Sequence, residues 1–181
     1  LDRNDKKLAL RPEGTASVVR AFIDHFASHG QVEKKFYYFG PMFRYERPQA
    51  GRLRQFYQFG AEAFGSDAPG DDAELLSLIS QMLANLGITQ YELHLNSLGN
   101  VASRQAYRDA LLLYLKNQVA QLCEKCISRM ERNPLRVLDC KNPSCIAATE
   151  QAPMITDHLD ESSRSHFQQV QHLLKIAGVT F

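Results

Sequence analysis

Twenty residues, Phe43 to Glu62, constrain this chain more than any other stretch. They hold four arginines, two glutamates and three glutamines, interleaved with Phe and Tyr. The flanks, Lys35–Tyr45 and Leu53–Phe64, are rich in aromatic residues and read as strands. Glu46–Arg52 carries Pro48 and Gly51 and reads as the loop between them, longer than a two-residue turn. Side chains two apart on a strand share a face. Alternation therefore groups Met42, Arg44 and Glu46 on one strand, and Phe56, Gln58, Gly60 and Glu62 on the other. Burying such polar groups without partners costs about 2–7 kcal/mol each. Two readings fit: an Arg–Glu network on a solvated sheet surface, or a face built to hold a charged ligand.

Before the hairpin, Asn4-Asp5 signals a turn and Lys7–Leu10 a short strand. Arg11-Pro12-Glu13-Gly14-Thr15 breaks that strand. Thr15 or Ser17 can then cap a helix whose Val18, Val19, Phe22, Ile23 and Phe26 recur at helical spacing, with Gly30 at its end. After the hairpin, Asp71-Asp72 opens a helix with an apolar stripe from Leu75 to Leu86, closed by Gly87. Tyr91–Leu98 reads as a further strand. Asn96–Asn100 marks a boundary beyond which helix dominates, with Tyr107, Leu111, Leu115, Val119 and Leu122 four or so apart. From Asn100 to Asn142 there are eight Lys/Arg against four Asp/Glu. That local basic excess suits either a solvated helix face or contact with phosphates. Asp160 caps a last helix that ends at Gly178, followed by the β-type triplet Val179-Thr180-Phe181. The polar start after Leu1 and that final triplet both look like cut ends of a longer protein.

The apolar share of 44% supports a real core. A net charge of +1 provides no global field, so any nucleic-acid contact must be local. No apolar run reaches the roughly 18 residues of a membrane span, and no secretory signal is recognisable. The expected compartment is the cytoplasm, with thiols reduced. Cys123-x-x-Cys126 and Cys140-x-x-x-x-Cys145 lie 13 residues apart, close to paired zinc spacing but off it. The Asn142-Pro143 turn favours a metal knuckle, whereas Glu124–Arg132 reads as helix. Structural zinc, four reduced thiols and a disulfide all stay open here.

The Phe43-Arg44-Tyr45-Glu46 and Arg52-Leu53-Arg54-Gln55-Phe56 runs resemble motif 2 of class II aminoacyl-tRNA synthetases, and the histidyl-tRNA synthetase family most closely. Arg-Pro-Glu-Gly-Thr resembles a second segment of that family. The resemblance implies an α+β fold: part of the antiparallel-sheet catalytic core over residues 1–98, then a mostly helical insertion and the start of a returning core strand over 99–181. It implies activation of histidine by ATP with Mg²⁺, then transfer to tRNA(His). By residue, it places Arg44 at the α-phosphate and substrate carboxylate as the catalytic group. Glu46 goes to the adenine amino group, Arg52 to the terminal phosphates and Phe56 to the adenine face. Glu13, Gly14, Thr15, Gln58 and Glu62 line the histidine pocket. It further implies a homodimeric parent enzyme whose insertion meets the tRNA acceptor arm. Motifs 1 and 3 and an anticodon domain fall outside the chain, so the 181 residues by themselves are expected to be inactive. The competing family reading is the histidine-binding regulatory paralogue of ATP phosphoribosyltransferase. Its kind usually erodes the ATP-contacting residues, and here Arg44, Glu46, Arg52 and Phe56 all stand.

Overall fold

The computed structural model describes residues 5, 7–30, 33–47 and 49–181, with backbone only at His29. Asn4 of the turn read at Asn4-Asp5, and Pro48 of the loop, lie outside the described residues. The chain forms two compact units, one running to Asp71 and one from Asp72 onward. The boundary read at residues 98/99 falls within the second unit, just before an N-cap at Asn100.

The first unit is an antiparallel hairpin with a helix on it. Strands β1 (Lys34–Phe43) and β2 (Gln55–Phe64) pair in register from Lys34↔Phe64 to Phe43↔Gln55. The Arg44 N–H still donates to Arg54 O at 2.9 Å, so the pairing runs one bond past β1. At the loop tip a Gln49↔Arg52 bridge closes a turn in which Gly51 takes φ 77°, a value that suits glycine. Helix α1 (Thr15–His25) lies on the even-numbered face. Phe22 and Phe26, one turn apart, do the packing. Phe22 stacks on Phe64 at 4.5 Å between centroids, and Phe26 meets Phe36 at 5.7 Å. The helix thus covers one end of this face and leaves the end near the loop for other partners. The opposite face shows Tyr37, Phe39, Tyr57 and Phe59 to solvent.

The cap of α1 differs from the sequence reading. Gly14, rather than Thr15 or Ser17, holds the N-cap position, and the Glu13 carboxylate accepts the Ala16 N–H at 3.0 Å. Glu13 precedes the helix by two residues and its carboxylate takes the Ala16 N–H, while Gly14 O accepts the Ser17 and Val18 N–H groups that a Thr15 cap would have faced.

The second unit is helical: α2 (Pro69–Asn85, entering from the first unit), α3 (Val101–Lys116), α4 (Glu124–Arg132), α5 (Leu135–Leu138), α6 (Pro143–Thr149) and α7 (Glu161–Ile176). Its main core joins Tyr107, Leu111 and Leu115 of α3 to Leu122, Cys126, Met130, Val137, Cys145, Ala148 and Ile155. Here α3 stops at Lys116, so Val119 and Leu122 reach the core from a short 3-10 turn and beyond rather than from one long helix. A smaller core sets Ala73 of α2 against Val170 and Leu174 of α7. The expected apolar stripe of α2 is half open: Ile79 is 47% and Leu86 66% exposed. No described helix is long and apolar enough to cross a membrane.

Lys7–Leu10, Tyr91–Leu98 and Val179–Phe181 form no strands. Alternation gives a segment a face, but a strand also needs a neighbour to take its N–H and C=O groups. No such neighbour stands among the described residues. The segment after Leu10 runs beside the end of β1 through isolated bonds: Phe43 N–H to Arg11 O, and Arg11 Nε to Pro41 O, both 2.9 Å.

One polar clasp joins α3 to the start of α7. The buried Ser103 hydroxyl donates to Asp160 Oδ1 at 3.1 Å and accepts the Asp160 N–H at 3.0 Å. Hydrogen bonds from the Ser163 and Ser162 hydroxyls, and then from Ser103, hold the Asp160 carboxyl down from 3.8 to about 2. A carboxyl depressed by folding stabilises above its unfolded value and loses that contribution as pH falls through its folded one. Between pH 3.8 and about 2, Asp160→Asn should therefore flatten the acid loss of stability, read by thermal melts across that window.

Candidate functional site

The end of the even-numbered hairpin face that α1 leaves uncovered gathers most of the residues singled out in the sequence, with Met42 and Gly40 buried in it. Register sets Met42 opposite Phe56, Gly40 opposite Gln58, Tyr38 opposite Gly60 and Phe36 opposite Glu62. Two glycines on this face make room for long neighbours. A Cβ on Gly60 or on Gly14 would overlap the Tyr38 ring, and a Cβ on Gly40 would sit against Arg11 Nη2 at 2.5 Å. Tyr38 is therefore wedged between the start of α1 and the floor of β2. Arg11 and Tyr38 were not singled out in the sequence. The available signal was the pair of glycines inside two otherwise strong strands, which marks close approach of another group.

Each proposed contact residue has a definite place. The Arg44 guanidinium donates from Nε to Pro12 O at 2.8 Å and lies 5.0 Å from the Phe56 ring centre. A cation over an aromatic face is favourable, and the carbonyl bond fixes the direction of the fork. Thr15 Oγ1 donates to Glu62 Oε1 at 2.6 Å, tying the first turn of α1 to β2, and lies 3.5 Å from the Tyr38 hydroxyl. Gln58 Oε1 is buried and has no hydrogen-bond partner among the described residues. An orphaned acceptor costs stability unless a donor arrives to meet it. Arg52 and Glu46 pair across the loop at 3.4 Å. Glu13, Gly14 and Thr15 form the entry to α1 beside this face. The structure thus brings Arg44, Phe56, Gln58, Glu62 and Thr15 together, with the Glu46–Arg52 pair at the loop.

The four cysteines converge elsewhere, in the helical unit. Their Sγ atoms all lie within 4.8 Å of one another, and Cys123 and Cys140 are 4.0 Å apart. All four are free thiols, so the disulfide alternative does not hold in this structure. Cys126 and Cys145 are fully buried. The Cys126 backbone N–H draws the Cys123 thiol down to about 7, whereas burial pushes Cys126 and Cys145 up.

A family model described as histidyl-tRNA synthetase matches residues 1–171. The chain belongs to the histidyl-tRNA synthetase family. Among its relatives, the histidine–tRNA ligase of Moorella thermoacetica is 50% identical over 181 residues, covering 100% of this chain and 43% of that protein. That of Aquifex aeolicus is 51% identical over 180 residues, covering 99% of this chain and 45% of that protein. The apo histidyl-tRNA synthetase of S. aureus superposes with a TM-score of 0.73 at 37% identity, covering 99% of this chain and 42% of that one. The chain therefore spans less than half the length of these synthetases, and its α+β character agrees with that structural match.

Proposed function

We propose that the loop end of this hairpin face is the ATP- and histidine-binding surface of a histidine–tRNA ligase. The observation that supports it best is the shared face. A fixed guanidinium, an aromatic plate, an orphaned amide oxygen and a carboxylate all line the same side of one ribbon. In this reading the histidine carboxylate attacks the α-phosphate of ATP, giving histidyl-adenylate and pyrophosphate, and the acyl group then moves to tRNA(His). Charge building on the α-phosphate would be met by Arg44, whose fork matches paired oxygens. Phe56 would stack on adenine, Glu46 would accept from its amino group, and Arg52 would reach the terminal phosphates. Gln58 Oε1 would gain the imidazole N–H as its missing donor, with Glu62, Glu13, Gly14 and Thr15 completing the pocket. A polar pocket of this kind rejects ligands that leave it unpaired.

Mg²⁺ would arrive with the nucleotide. The carboxylates near this face are already engaged by Ala16 N–H, Arg52 and Thr15, so no residue is assigned to the ion. Of the eight basic residues from Arg104 to Lys141, seven are exposed and Arg129 is half-buried, which leaves them accessible to the tRNA acceptor arm. The longer protein would be a class II homodimer working in the cytoplasm.

Amino-acid-dependent ATP–pyrophosphate exchange tests the reading. A longer enzyme carrying this stretch should exchange with histidine and not with proline or threonine. The 181-residue chain should show no exchange. Exchange that ignores histidine in the longer enzyme would refute the ligase reading, and robust exchange by the chain would refute its dependence on further segments.

A further inference from the structure

We infer that Cys123, Cys126, Cys140 and Cys145 form a closed structural zinc site that staples the short helices of the second unit. A zinc ion with four thiolates at about 2.3 Å sets its sulfurs about 3.8 Å apart. The observed 4.0 Å between Cys123 and Cys140, and the 4.8 Å limit on every pair, need little contraction to reach that tetrahedron. Cysteines serving an iron–sulfur cluster stand farther apart, because several irons and bridging sulfides lie between them.

Local backbone builds the site from two arms. Cys123 occupies the N-cap position of α4, and Cys126 follows one turn later on the same side. Cys140 follows α5 with its N–H on Val137 O, and Cys145 lies in the first turns of α6. Between them Asn142 caps α6 by accepting the Ser144 N–H at 3.0 Å, which turns the chain back toward Cys140. The arms already touch through the Cys123 N–H, which donates to Cys145 Sγ at 3.2 Å. Such N–H donors orient and stabilise thiolates around a metal.

Closure follows from burial. Two ligands are fully buried, the other two are half-buried, and all four positions are filled by protein, leaving no open one for a substrate. The need follows from helix length. Helices α4, α5 and α6 have 9, 4 and 7 residues, below the roughly 12 that make an isolated helix even marginal in water. A metal joining the start of α4 to the α5–α6 junction would supply the missing constraint. Binding releases the thiol protons to solvent as the four Zn–S bonds form.

The test uses the reduced chain purified without chelator. Elemental analysis should find one zinc per chain, released by a mercurial thiol reagent, and near none in Cys126→Ser or Cys145→Ser. Because those variants can unfold, the stripped wild-type chain is also titrated with Co²⁺. One equivalent should give the strong visible bands of a tetrahedral tetrathiolate and restore helical circular dichroism. Zinc at background in the wild type, zinc retained by both serine variants, iron in its place, or octahedral cobalt spectra would each overturn the assignment.

Discussion

Arg44→Ala in a longer histidine–tRNA ligase carrying this stretch should lower histidine-dependent exchange by roughly 100- to 1000-fold in kcat/KM, the usual loss for one fixed charge-stabilising donor. Two contacts set the guanidinium in advance: Nε on Pro12 O at 2.8 Å, and the Phe56 ring 5.0 Å away. A group held before the substrate arrives spends nothing on reorientation as charge develops. Arg44→Lys separates charge from geometry. It keeps the cation and loses the planar fork, so it should recover only a small part of the rate. Thermal melts of both variants measure how much of the loss comes from freeing the Pro12–Glu13 segment. Exchange in Arg44→Ala within about threefold of the parent would sink the role given to this side chain.

Gly60→Ala should destabilise the first unit by roughly 1–3 kcal/mol, the range for forcing atoms into a filled space. The new methyl would overlap the Tyr38 ring, which Gly14 touches closely from another side. The ring therefore has no easy retreat. The cause can be isolated by a double-mutant cycle with Tyr38→Ala. In that background Gly60→Ala should cost much less, with a coupling of roughly 0.5–3 kcal/mol. Denaturant unfolding followed by tyrosine fluorescence gives all four corners. Additive effects would mean that the glycine is needed for some reason other than this ring.

The hairpin was legible because two independent signals agreed on it. Aromatic strand formers bounded a Pro/Gly loop, and polar residues fell two apart on each strand. The pairing of Phe56 with Met42 and of Gln58 with Gly40 follows from that pattern once the register is set. Tyr38 was not legible, because its role depends on a helix entry that lies far away in sequence. The strands expected at Lys7–Leu10 and Tyr91–Leu98 failed for a different reason. Their letters describe a face, and pairing depends on a second segment. The half-open stripe of α2 is the helical form of the same shortfall. For the cysteines, a helix starting at Glu124 counted against a metal knuckle in the sequence. In the structure that helix is what turns Cys126 back beside Cys123.

The two glycines of this hairpin face have a practical consequence for redesign. The Tyr38 ring fills the space over Gly60 and Arg11 the space over Gly40, so room on this face can be made only by trimming those side chains. In the proposed reading, admitting a bulkier amino acid would mean changing Tyr38, Arg11 or Gln58. Changing Tyr38 also disturbs the seat of α1, because the ring packs against Gly14. Room for a ligand and the seat of α1 would then draw on the same few atoms, and the start of α1 would have to be rebuilt with any such change.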